Sequence, residues 1–273
     1  MDTQTLKYIG KDLYKTHILK EWKRYIVFMT RCHLHKGQIN DLLDFFKATP
    51  QRQAMLEHTT SFVEQTTRAF FYKDSTWDER IAIVKNHIEY MENIFNDEAI
   101  AKLYVNGERI KLWEDVYEEQ PVVMELWFHG GQRKEGCLSL VLSLGADELY
   151  QIMFWLAPSP EDNELSLWIG ALQGTPNGSE IIKGLTKAFF GYRTKNLIFY
   201  GIRNVAAGLG CKHLYAVSNA GYYAMNHVRR DRKLKTSLDD FWQECEGQVC
   251  KDQRFFEMPI EEYRKSMEEL KPS

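Results

Sequence analysis

The spacing of apolar and polar positions changes about 105 residues into the chain. Before that point apolar residues return at helical intervals. After Thr76, residues Ile81, Val84, His87, Ile88, Met91, Ile94 and Phe95 recur every three or four positions, which predicts an amphipathic helix. Thr76 is placed to cap it, and Asp78 and Glu79 fall in the first turn, where negative charge is favoured. Glycine and proline are scarce here, with Gly10, Gly37 and Pro50 as the main punctuation. The expectation is a helical N-terminal region over residues 1–105, followed by a second domain over 106–273.

In the second part the period falls to two. Leu138, Leu140, Leu142 and Leu144 alternate with Ser139 and Ser143. Asn106-Gly107, Gly130-Gly131 and Gly145-Ala146-Asp147 supply turns, so the segment reads as an antiparallel meander. Residues 165–172 add a further strand. A long helix follows, with Leu197, Ile198, Gly201, Ile202, Val205 and Leu209 along one stripe and Gly210 as its stop. Residues 213–218 read as a short buried strand, and Asp239 is placed to cap a helix over DFWQEC. The predicted class is α+β, a helical N-terminal region leading into a mainly antiparallel sheet.

Composition narrows the function classes. A net charge of −3 argues against general nucleic-acid binding. No stretch approaches the roughly 18 apolar residues of a membrane span, and the start MDTQTLKYIGKDLYK has no apolar signal core. The five cysteines are odd in number and widely spaced, as in a chain that keeps its thiols reduced. The expected location is the cytoplasm, free or in peripheral contact with a membrane. Cys32, His33 and His35 look like part of a metal site, but no second ligand cluster accompanies them, so no metal is expected.

Candidate chemistry gathers between residues 165 and 219. Gln173 and Gly174 close a strand, while Arg193, Lys195 and Asn196 open a helix. Cations at a helix start, which is already positive, suit an anion held between them. With Lys187 and Asn219 these residues make a candidate pocket for an anionic small molecule; the alternative is that the cations are solvated or paired with acidic neighbours. The basic run His227, Arg229, Arg230, Arg232, Lys233 and Lys235 either binds a phosphate-rich ligand, a lipid headgroup or RNA, with Arg230 and His227 foremost, or balances the acidic residues that follow it. His227 and Glu135 are the candidate catalytic acid–base groups. The bland reading of Glu135 is an ion pair with Arg133 or Lys134. His87, on the apolar helix face, suits a hydrogen-bonded core position. No G-x-S-x-G element and no P-loop occurs.

Several motifs occur in a fixed order: Glu135-Gly136 before LSLVLSL, GALQG over 170–174, LTKAFFGYRTKNL over 185–197, AVSN over 216–219, DDFWQECEG over 239–247 and FFEMP over 255–259. Together they resemble the VirK/YbjX family of Gram-negative bacterial proteins over residues 60–265. Thr194, Leu238 and Glu246 depart from the expected pattern. The resemblance implies a role in the cell envelope or in virulence, such as surface display of outer-membrane proteins or resistance to antimicrobial peptides. The strand–turn–helix–strand order is also similar to the core of GNAT-type acyltransferases, which implies an acyl-CoA or aminoacyl-tRNA donor. Two functional expectations stand side by side: a GNAT-like acyl or aminoacyl transferase using the anion pocket, and a non-enzymatic module that binds an envelope component.

Overall fold

The computed structural model describes residues 3–129, 133–175, 179–226 and 236–262. Seven helices come first: α1 (Thr3–Leu13), α2 (Leu19–Leu34), α3 (Lys36–Lys47), α4 (Pro50–His58), α5 (Ser61–Thr67), α6 (Trp77–Ile94) and α7 (Asp97–Tyr104). Capping side chains set the starts of α4, α6 and α7. At α6, Thr76 Oγ1 accepts from the Glu79 N–H at 3.2 Å, and the Glu79 carboxylate accepts from the Thr76 N–H at 2.6 Å, a closed capping box. Asn96 caps α7 in the same way through its side-chain oxygen.

Five strands follow: β1 (Ile110–Tyr117), β2 (Gln120–Trp127), β3 (Leu138–Leu144), β4 (Asp147–Pro158) and β5 (Leu165–Gly174). The chain then crosses through α8 (Ser179–Ala188) and α9 (Thr194–Gly208) to β6 (His213–Val217). It ends in α10 (Leu238–Glu244), β7 (Gln248–Val249) and β8 (Phe255–Met258). The sheet is open and eight-stranded, in the order β1-β2-β3-β4-β5-β6-β8-β7. Every pair is antiparallel except β5–β6. The helix expected to open at Arg193 and stop at Gly210 is α9; α8 precedes it as a further helix, and Phe190 and Gly191, both at positive φ, turn the chain between the two.

Both faces of the sheet are covered at its centre, while β1 at the edge is mostly exposed. All seven residues of β3 are buried, serines included, and Ser139 donates to the Trp127 carbonyl at 2.6 Å. Cross-strand register identifies the faces. Leu126, Leu140 and Ile152 stand opposite one another on the side where α9 packs, beside Phe154 and Ile169. Trp155, Trp168 and Tyr215 stand opposite one another on the other side. There α6 leans on β4, and one continuous set of buried side chains runs from Leu6 through Ile88 and Trp155 to Met258.

His87 ties the helices to the sheet. It is fully buried, and its Nδ1 accepts the backbone N–H of Leu156 at 3.0 Å. Nε2 therefore carries the proton and donates to the Tyr104 hydroxyl at 2.7 Å. Burial holds this imidazole neutral, with its pKa lowered to about 3.

Candidate functional site

The parallel pair β5–β6 is hydrogen-bonded only from Ser166–His213 to Ile169–Ala216. Past that point β5 bulges at Gly170, and the strands part. Three side chains meet in this region. The Glu135 carboxylate, 4% exposed, accepts the Tyr222 hydroxyl at 2.6 Å and the Gln173 amide at 2.9 Å on both oxygens. The meeting depends on glycine. A Cβ at position 170 would overlap the Glu135 carbonyl, so only a residue without one lets the two segments cross. Burial raises the Glu135 pKa, while the Tyr222 hydrogen bond, the nearby Lys134 and the Gln173 amide pull it part of the way back. In turn, burial and the adjacent Glu135 carboxylate push the Tyr222 phenol well above the usual tyrosine range.

Glu135 and Gln173 are thus brought together, with Tyr222 as a partner the motifs did not single out. Arg133 goes elsewhere, pairing with the buried Glu64, which also accepts the Tyr14 hydroxyl. Gly174 is exposed at the end of β5, and Lys187 is exposed near the end of α8.

Arg193, Lys195 and Asn219 gather around α10. Arg193, the N-cap of α9, pairs with Glu244 at the last residue of α10, and both side chains are about half exposed. The Lys195 ammonium lies 3.8 Å from the centre of the Phe241 ring, and burial lowers its pKa. Asn219 Oδ1 accepts the Leu238 N–H at 2.7 Å, and its amide donates to Ser237 Oγ at 3.0 Å. The cations that open α9 therefore face an acid and a ring from within the protein. Asn196 Oδ1 is buried with no hydrogen-bond partner among the described residues. Asp239 does not cap α10. Ser237 does, accepting the Asp240 N–H at 3.1 Å, while the Asp239 carboxylate accepts the Asn219 N–H at 2.6 Å. Ser237 precedes the first helical residue, whereas Asp239 lies inside the first turn, from which its carboxylate reaches back to the β6 loop. His227 and Arg230 lie outside the described residues.

A large apolar opening lies elsewhere, and motif reading missed it. Between α9 and the sheet runs a groove of about 770 Å³. Its floor is Met124, Leu126 and Leu140, and one wall is Leu197, Gly201, Val205 and Leu209 of α9. These α9 residues are only half-buried, while Ile198, Phe199, Ile202 and Ala206 hold the core contact. The apolar surface of α9 is thus wider than the core needs. The opposite wall comes from a bulge in β1 between Lys111 and Trp113, where Leu112 and Trp113 both border the groove. Leu112 remains 46% exposed. The polar members of the lining are few; the Asn204 amide is turned back onto the Tyr200 carbonyl at 2.7 Å.

A second cavity, of about 790 Å³, lies over the other face, between α6 and β4–β6. Its rings are largely sealed. Trp168 stacks on Tyr215 at 4.2 Å, Trp155 lies 6.2 Å from Trp168 and is 1% exposed, and Phe255 meets Trp168 edge-on. The Arg254 guanidinium at its rim is held by Asp252.

Comparison with known proteins adds kinship without chemistry. The sequence model of a family described as "Protein of unknown function (DUF535)" matches residues 17–273. A Haemophilus influenzae protein described as "Uncharacterized protein" is 21% identical over 242 residues, spanning 87% of this chain and 78% of its own. No solved structure matches.

Proposed function

The chain belongs to the DUF535 family, the VirK/YbjX family, and on that premise we propose that it is a binding module for an acylated component of the cell envelope. The observation that carries this reading is the apolar groove beside α9. Its volume lies within the range of ligand sites, and its surface is nearly all hydrocarbon and aromatic. Each methylene of a bound chain taken out of water contributes about 0.8 kcal/mol. A long acyl chain therefore exceeds an association cost of roughly 4–15 kcal/mol only if most of it is enclosed. The half-exposed residues Leu197, Val205 and Leu209 are what such a chain would cover.

Gly208 supplies the test. It borders the groove, and a Cβ built there meets nothing within 4 Å, so Gly208→Trp fills the space without disturbing the core. The wild-type protein is expected to bind a fluorescent long-chain fatty acid with about micromolar affinity, and Gly208→Trp to lose it. A wild-type protein that takes up no such probe would end the proposal.

One observation favours acyl or aminoacyl transfer as a second reading. Glu135 is a buried carboxylate with a raised pKa, held by Tyr222 and Gln173, which suits a proton acceptor. Gln173 stands opposite Gln151, on the side of the sheet away from α9, so the acid and the groove do not share a face. This reading gains if calorimetry detects binding of an acyl-CoA that Glu135→Gln leaves intact while transfer stops.

A further inference from the structure

We infer that the corner between α8 and α9 docks on the surface of a lipid bilayer, with Phe190 as the inserted side chain. α8 ends in a Schellman turn. The Gly191 N–H donates to the Thr186 carbonyl at 2.8 Å, and the Phe190 N–H to the Lys187 carbonyl at 3.2 Å. The left-handed position of such a turn normally belongs to glycine or asparagine, because a side chain there crowds the backbone. Here it is Phe190, at φ 54°, and a glycine comes only one residue later. The ring is fully exposed. A bulky apolar side chain held in an unfavourable backbone state and standing in water suits a contact.

The surroundings indicate what that surface meets. Phe189, next in the chain, borders the groove, so the two adjacent rings point to different environments. Lys187 is exposed just before them. On α8 itself Leu185 is fully buried, Lys183 pairs with Glu180, and Tyr117 of the β1–β2 hairpin abuts Gly184. The corner therefore projects one exposed ring and one exposed lysine beside the groove. A protein partner would need roughly 800 Å² of complementary surface, and one ring on a polar corner does not offer it. A bilayer does not need it. An aromatic ring settles at headgroup level, and a lysine reaches phosphate. One ring and one cation give a reversible contact rather than an anchor. The inference rests on the proposed function only for the cargo, an acyl chain that passes from bilayer to groove; the docking itself rests on Phe190 and its turn.

The test is sedimentation with phosphatidylcholine vesicles, with and without phosphatidylglycerol, alongside binding of a soluble fluorescent fatty acid. The wild-type protein is expected to sediment with vesicles, and Phe190→Ser to lower that partition about tenfold or more while leaving fatty-acid binding and thermal unfolding unchanged. Lys187→Glu is expected to weaken sedimentation only where phosphatidylglycerol is present. Gly208→Trp is expected to do the reverse of Phe190→Ser, losing the fatty acid and keeping the vesicles. Failure of the wild-type protein to sediment, or equal sedimentation of Phe190→Ser, overturns the docking and leaves the groove untouched. Loss of fatty-acid binding in the wild-type protein overturns the groove and leaves the docking standing.

Discussion

On the α6 side of the sheet, Tyr72, Trp155, Trp168 and Tyr215 stand in line, each within stacking distance of the next, and Trp155 is 1% exposed. On the α9 side, Leu112 is 46% exposed, and Leu197, Val205 and Leu209 are only half covered. Both faces are apolar and both carry a cavity, but the rings around the cavity on the first pack against one another. On the second, α9 approaches Met124 closely at Gly201 and leaves open space at Gly208. Loosely covered aliphatic side chains therefore border the cavity on the α9 face, where stacked rings border the one on the α6 face.

The strongest way to break this contrast is to cut into the stacked rings. Trp155→Ala is expected to cost about 3–5 kcal/mol, measured by urea unfolding. A loss of less than about 1 kcal/mol would mean that the row of rings is not structural. Next in size is the polar cluster between the parting strands. Tyr222→Phe removes one donor from a buried carboxylate and is expected to cost about 1–3 kcal/mol.

Acid–base titration of stability sharpens the picture further. Glu135 holds its proton more tightly folded than unfolded, so its contribution makes stability fall as pH rises out of the ordinary glutamate range. Glu135→Gln should flatten that fall. A second fall is expected at higher pH from His213, which is hydrogen-bonded to Glu257 at 2.9 Å and Asp162 at 2.8 Å. Those bonds raise its pKa, so its support is complete below the ordinary histidine range and lost as pH climbs through the raised value. His213→Asn should remove the second fall and leave the first. The smallest effect belongs to the open face. Gly208→Leu should stabilise by at most about 1 kcal/mol through helix propensity, a gain visible as a small rise in melting temperature. A marked loss would mean that the groove is needed for folding.

The elements were largely legible because their signals are local. The capping box at Thr76 and Glu79, the leucine–serine alternation of β3 and the left-handed Gly210 after α9 are each set by neighbouring residues. The pairing of Glu135 with Gln173 was half legible, since both residues stood out singly, but no spacing rule joins positions 38 apart. Tyr222 gave no signal, because a tyrosine in a loop looks the same whether its hydroxyl meets water or a buried acid. Arg193 and Lys195 look like an anion site in one dimension, and only the packing of α10 shows Glu244 and Phe241 beside them. The groove was present in the sequence as an α9 stripe holding both Leu197 and Ile198, but periodicity cannot tell a residue that faces the core from one that faces a gap beside it.

His87 has one further consequence. Its two ring nitrogens close hydrogen bonds to Tyr104 of α7 and to the Leu156 amide of β4, so lifting the helical layer away would orphan polar atoms on both sides at once. Local fraying of the helices is therefore a poor route to opening, and the two layers should unfold as one cooperative unit. In hydrogen exchange, the Leu156 amide should be among the slowest in the molecule, trading its proton only when the whole chain lets go.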